Sequence, residues 1–451
     1  MKLLAGMLLF GFTSLASAQS SVIVGGGATL PAFGYGGDTT TRLQGPLHAN
    51  GSNAATGSLL GEYAATQASP LSVSYCQTGS GDGKSVLNGN MTLTLNVNAD
   101  CVAGIAPAGF GATSLGETLI QPHFVGSDSP LSSIDLTNYA LGHSSGRPVQ
   151  FPSVSGAIAV VFNKTARDNV TNTSVPLPSL NLTEAQVCRI FSGNIKTWND
   201  ANLASAIPSG FTVTGPIKIV YRSDGSGTSF ALSNHLSKVC GSTAGTGGNG
   251  LATQFSTKQS FLAAASFYLL SYSALIPASG DPGMIAAIQD PANDGSIGYA
   301  ETTNALTSGV LFASVSTRAA PTVFIDPSTY GGTKLPVNVI YDQVIFGVNG
   351  FGRPVLGSSG LSTQCIGVVD PEDYAEPTTG DYPILAVSYF LANSTANGLD
   401  SGHVRGVLFS PYNTAVTNNV FTIGAFTGVS FLSINGLTPT QIQAKINGCI
   451  N

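Results

Sequence analysis

Short runs with a large apolar residue at every second position alternate along this chain with stretches where such residues recur every third or fourth, the pattern of strands and helices in turn. Leu71, Val73 and Tyr75 alternate with serines, and Ile217, Ile219 and Tyr221, with Lys218 and Val220 between them, form a β-rich run ending at Arg222. Val22 to Val24 and His123 to Val125 read as shorter strands, and Ser296 to Ala300 and Tyr382 to Tyr389 as later ones. The unbroken apolar run Ala157-Ile-Ala-Val-Val-Phe162 predicts a strand covered on both faces. Val187, Ile190 and Phe191 share a helical face behind Thr183, and Leu232, Leu236 and Val239 follow Ser226, both hydroxyl residues suited to capping. Gly283 to Gln289 predicts a short helix, and Thr438 with Pro439 at the first position opens another that runs to Ile446. Strand and helix in alternation make the chain α/β. Gly34 to Pro70, rich in Gly, Ser, Thr and Ala, predicts loops with one short helix, and Thr302 to about Asp381 mixes Gly/Pro turns with strand-like runs such as Val337 to Phe346.

The chemistry concentrates where strands meet turns. Tyr221-Arg-Ser-Asp-Gly-Ser-Gly-Thr-Ser-Phe230 is a strand end, a glycine turn and a helix start with Ser226 at the cap. Such a turn aims unpaired backbone N–H groups, hydroxyls and the positive end of a helix at one point, which suits a tetrahedral oxyanion. Arg222 adds a planar charged fork. An ordinary polar connection with a cap would also explain the turn. Gly25-Gly-Gly-Ala-Thr-Leu-Pro31 is a second turn of this kind, in which Thr29 offers a hydroxyl and Leu30 a backbone N–H. Ser127 and Asp128 lie just beyond the His123 to Val125 strand, where Asp128 read alone is a turn cap.

Two shorter matches fail on context. Gly83-Lys84-Ser85 follows a strand and several glycines like a nucleotide P-loop, but the pattern needs Gly five residues before Gly83 and Thr78 stands there. Gly142-His-Ser144-Ser-Gly146 satisfies the hydrolase elbow, yet Asn138-Tyr-Ala-Leu precedes it and Arg147-Pro148 follows, neither the apolar strand nor the helix an elbow requires.

Composition narrows the setting. Lys2, the apolar run Leu3 to Phe12 and Ala16-Ser17-Ala18 read as an export signal, residues 1–18, removed after Ala18. Only 9% of residues are charged and the net charge is −6, with pI near 5.3. A basic footprint for nucleic acid or anionic membrane is therefore excluded, and attraction of an anion must be local. The six cysteines, Cys76, Cys101, Cys188, Cys240, Cys365 and Cys449, are an even number in an exported chain, which favours disulfides. None forms a CxxC pair and the five histidines are scattered, so no metal or cofactor is expected.

Arg222-Ser-Asp-Gly-Ser-Gly-Thr-Ser-Phe230, Gly25 to Pro31 and Gly126-Ser-Asp-Ser-Pro-Leu131, in that arrangement, resemble the phosphate-binding proteins of bacterial phosphate ABC transporters and the related DING proteins. The resemblance implies a two-lobed periplasmic-binding-protein fold of type II with the ligand in a cleft between lobes. Residues 19–155 and 301–451 would form the first lobe, with a β-rich insertion at about 302–381, and residues 156–300 the second. Hinge strands are expected near Val154 to Ala159 and Gly295 to Ala300. It further implies that Thr29, Leu30, Ser80 and Asp128 from one lobe and Arg222, Ser226, Gly227 and Thr228 from the other bind inorganic phosphate, with Asp224 orienting Arg222. Sequential disulfides, Cys76 to Cys101, Cys188 to Cys240 and Cys365 to Cys449, keep each bridge within one such lobe, and the second also resembles a pair of DING relatives. The implied protein is an exported, monomeric binder, periplasmic or extracellular, that serves an ABC permease and is no enzyme. A secreted phosphomonoesterase and an adhesion or matrix protein on the same fold are the rival readings.

Overall fold

The computed structural model describes residues 21–37, 54–89, 121–241, 255–377 and 381–451. The export signal and Cys101 lie outside them. The elements that place the site are β1 (Ser21–Gly27), β2 (Leu71–Gln77), α1 (Ser80–Leu87), β3 (Phe124–Ser127), β4 (Pro148–Asn163), β5 (Lys218–Arg222), α2 (Gly227–Val239), β6 (Ala274–Ala278), α3 (Gly280–Gln289), β7 (Ser296–Glu301) and β8 (Leu385–Asn393). These eight strands form the spine of one curled sheet in the order β6-β5-β7-β4-β8-β3-β1-β2.

The sheet serves two lobes because β4 is shared. Its first part, Pro148 to Ala157, pairs antiparallel with β8, and its last part, Ile158 to Asn163, with β7. On one side β1 runs parallel to β2 and β3. On the other β5 runs parallel to β6 and β7. The apolar run in β4 is buried on both faces, as its sequence predicts. The half before it carries Pro152, Ser153 and Ser155, which no apolar pattern marks as a central strand. Pro152 is accommodated because the register with β8 shifts between Ser388 and Tyr389, so its missing N–H falls at an irregularity. The polar neighbours are matched, Gln150 to Leu131 N–H and Gly367 C=O, Ser153 to Ser388 C=O and Ser155 to Tyr330.

Separate cores fill the two sides. Val160, Phe162, Val187, Trp198, Ile219, Leu232 and Ile297 belong to the second-lobe core. Ile23, Tyr35, Val73, Phe124 and Phe390 pack together under the first lobe, beside a smaller cluster that includes Val125, Leu131, Tyr374 and Tyr389. The segment 302–381 does not attach to the first lobe alone. Leu311–Ser316 pairs with Val161 and its neighbours at the end of β4 and with Asn181–Thr183, on the second-lobe side. Val339–Tyr341 pairs with Gly367–Val369, next to Gln150 in the first-lobe half of β4. The strand-like run Val337 to Phe346 is also cut into pieces, one break falling at Asp342 with φ 57°.

Two of the expected disulfides are formed, Cys188–Cys240 and Cys365–Cys449. The second member of the remaining pair, Cys101, lies outside the described residues. Among the described residues no helix is long and apolar enough to cross a membrane. Gly83-Lys84-Ser85 lies inside α1 with Lys84 ion-paired to Asp135 at 3.0 Å, and Ser144 is an exposed residue after a helix end.

Candidate functional site

Four turns converge where the lobes meet. β1 ends at Gly27, whose φ of 123° and close approach to the Gly126 carbonyl turn the chain toward Thr29 and Leu30. β2 leads through Gly79, φ 89°, into α1, which starts at Ser80. β3 delivers Asp128, and β5 delivers Arg222, after which Ser226 caps α2 by accepting the Ser229 N–H at 3.0 Å. Thr29, Leu30, Ser80, Asp128, Arg222, Ser226, Gly227 and Thr228 are all buried here.

The lobes touch directly at this point. Gly81 N–H donates to Gly225 C=O at 2.8 Å, and Gln259 Nε2 donates to Ser129 Oγ at 2.6 Å. A β-carbon on Gly227 would fall 2.5 Å from Asp128 Cβ and closer still to Ser80 Oγ, so only glycine fits between the two turns. The first N–H groups of α2 have no partner within the helix and open at this junction.

Arg222 is gripped from two sides. Nε and Nη2 donate to Asp224 at 2.7 and 2.5 Å. Nη1 donates to Asp281 Oδ1 at 2.8 Å and, across the cleft, to Thr29 Oγ1 at 3.3 Å. A guanidinium has five N–H groups, so one on Nη2 is left. Its own backbone N–H donates to Tyr299 Oη at 3.1 Å, which pairs in turn with Ser229 Oγ at 2.6 Å. Asp224 also accepts the Gly280 N–H at 3.0 Å. Burial opposes its ionisation, but the adjacent Arg222 charge and these hydrogen bonds hold its carboxyl below the usual range.

Asp128 is different. Its N–H donates to Ser80 Oγ at 3.0 Å and its Oδ1 accepts from Ser388 Oγ at 2.6 Å, while Oδ2 is buried without a partner. Burial, with repulsion from Asp281, pushes this carboxyl up to about 7 against the pull of the Ser388 hydroxyl, Arg222 and the Leu30 N–H. Thr228 Oγ1 is the matching orphan on the facing lobe, buried and unpartnered. Unsatisfied acceptor and donor atoms of this kind cost free energy unless a ligand meets them.

The geometry also shows what sequence reasoning missed. Asp281, in the first turn of α3, completes the Arg222 cage, and Tyr299 and Ser388 orient Arg222 and Asp128. Only the finished sheet marks Asp281. β6 lies beside β5 with Ala278 opposite Arg222, so a lone acid three residues further on stands over the guanidinium. The Thr29 hydroxyl is already engaged, accepting from Arg222 and donating to Asp281.

Comparison with known proteins agrees with this architecture. Residues 36–408 match the family model of the PBP superfamily domain. The protein named Alkaline phosphatase L of Pseudomonas aeruginosa (strain PAO1) is 33% identical over 229 residues, 50% of this chain and 45% of that protein. The Phosphate-binding protein PstS of Xylella fastidiosa (strain Temecula1) is 33% identical over 205 residues, 46% of each. The chain thus spans about half the length of these two relatives. A solved high-affinity periplasmic phosphate-binding protein, bound with phosphate, superposes with a TM-score of 0.54 at 23% identity, covering 90% of this chain and 91% of that one. With a shared crossing strand, two lobes and a family match over most of its length, the chain belongs to the PBP superfamily.

Proposed function

We propose that this protein captures inorganic phosphate between its lobes. The observation that carries the reading is the pair of buried orphan atoms, Asp128 Oδ2 and Thr228 Oγ1, one on each side of the close approach between Gly227 and Asp128. Hydrogen phosphate has an O–H for the carboxylate and lone pairs for every donor. Thr228, the N–H groups of Gly227 and Thr228, the remaining Arg222 N–H, Ser80, Ser226 and the turn at Thr29 and Leu30 would surround its other oxygens. Each hydrogen bond to such an anion contributes about 1.5–3 kcal/mol, so a shell of this size outweighs desolvation with one full positive charge. Asp224 orients Arg222. The two lobes, to both of which segment 302–381 contributes, close on the ligand by a hinge motion along β4 and β7.

In this reading the chain is exported, loses residues 1–18, works as a monomer in the periplasm or outside the cell, and hands phosphate to an ABC permease. The test is calorimetric titration of ligand-stripped protein with phosphate, in which absence of binding rejects the proposal. A phosphomonoesterase is the second reading, favoured by the name of the Pseudomonas relative. A chromogenic phosphomonoester, assayed with and without chelator, distinguishes hydrolysis from binding.

A further inference from the structure

Three carboxylates and one guanidinium share the closed cleft. Asp281 is fully buried, and three donors converge on it: Arg222 Nη1 at 2.8 Å, the Glu301 N–H at 3.3 Å and the Thr29 hydroxyl. Burial pushes this carboxyl above its usual range, opposed by the Arg222 charge, and a set made only of donors matches the carboxylate rather than the acid. Asp224 takes two further N–H groups of the same guanidinium. The single positive charge is therefore compensated twice before any ligand arrives, and Asp128 adds a third acidic group with one oxygen facing the cleft. Attraction by net charge cannot be what draws an anion into this space.

We propose that Asp281 is a specificity-determining residue: by compensating Arg222 a second time, it makes anion binding depend on a ligand that brings its own proton. The inference rests on the phosphate reading above and deepens it. Hydrogen phosphate answers the surplus of acceptors by donating its O–H to Asp128 and by retaining protons as the surrounding charge demands. Sulfate, the same in shape and lacking a proton at neutral pH, can accept from the same donors but has no such response to the acidic surplus. Removing the Asp281 charge relieves sulfate more than phosphate.

The experiment titrates ligand-stripped wild type and Asp281→Asn with phosphate and with sulfate, after thermal melts confirm folding. Asparagine keeps an acceptor for Arg222 and removes the charge. The expected result is that the phosphate-to-sulfate affinity ratio falls at least about tenfold, mainly through stronger sulfate binding, since a buried like charge held just behind Arg222 is little screened. Equal change for both anions would make Asp281 a structural partner of Arg222 only and overturn the proposal. Asp281→Ser, smaller and also neutral, carries the same comparison if the asparagine variant fails to fold. If wild type binds no phosphate, the functional reading falls and this inference with it, an outcome distinct from a wild type that binds while the variants keep its ratio.

Discussion

Replacing Gly227 by alanine should separate closure of the lobes from stability of the fold. Gly227 is outside the left-handed backbone region, so alanine fits its conformation, and as the first residue of α2 it gains up to about 1 kcal/mol of helix preference. Its new methyl, however, would stand 2.5 Å from Asp128 Cβ and 2.9 Å from Asp128 Oδ2. Carbon contacts settle at about 3.5–4.0 Å, so the two turns must part by roughly 1 Å. That displacement would stretch the 2.8 Å bond from Gly81 to Gly225 and the 2.6 Å bond from Gln259 to Ser129 past useful length. Overpacking of this kind costs about 1–3 kcal/mol, which weakens phosphate binding about 5- to 150-fold. Because the cost falls on the closed form, the melting temperature of unliganded protein should stay the same or rise slightly. Paired calorimetry and thermal melts check both quantities. Unchanged affinity would refute the reasoning, since the contact between Gly227 and Asp128 could not then belong to the bound state.

Other outcomes follow from the same geometry. Thr228→Ala should weaken phosphate binding about tenfold or more with little change in melting, whereas Arg222→Ala should also destabilise the fold by about 3–5 kcal/mol, because it leaves Asp281 buried without its counter-charge; titration and denaturant melts of both variants test this. Asp128→Asn offers an N–H to a ligand and should narrow the preference for phosphate over sulfate in competition titrations. With the lobes in contact Asp128 keeps its proton to about pH 7 while the unfolded chain loses it near 3.8, so in that form its contribution makes stability fall as pH rises through that window, by at most about 1.4 kcal/mol per pH unit; urea midpoints of wild type minus those of Asp128→Asn isolate that slope. Serine at both Cys188 and Cys240, separated by 52 residues, should cost about 4 kcal/mol on the chain-entropy model, measured by urea unfolding.

Local signals in the sequence reached far into this site. The strand ending at Arg222, the cap at Ser226 and the helical spacing of Leu232, Leu236 and Val239 are all local, and β5 and α2 form where they predict. The caps at Thr183 and Thr438 were equally readable. What escaped is long-range. Ser388 reaches Asp128 across 260 positions, and Tyr299 reaches Arg222 across 77. Asp281 resembles any acid in a helix's first turn until β6 sets it beside β5. The polar half of β4 escaped for the same reason, because its serines and glutamine are satisfied by partners that only the finished sheet supplies.

The place of β8 in the sheet governs how this chain must be made. Residues 385–393 are synthesised long after β3 and β4, yet they lie between them, with Tyr389 opposite Ser127 and Ala386 opposite Gly156. Until they arrive, β3 and β4 each present an unpaired edge of a kind that recruits other chains. The first lobe therefore cannot complete its sheet before β8 has been made. Pairings of such high sequence separation also form slowly. A first lobe that stays open until β8 is made leaves those edges exposed for a long interval in which the fold itself does not protect the chain from aggregation.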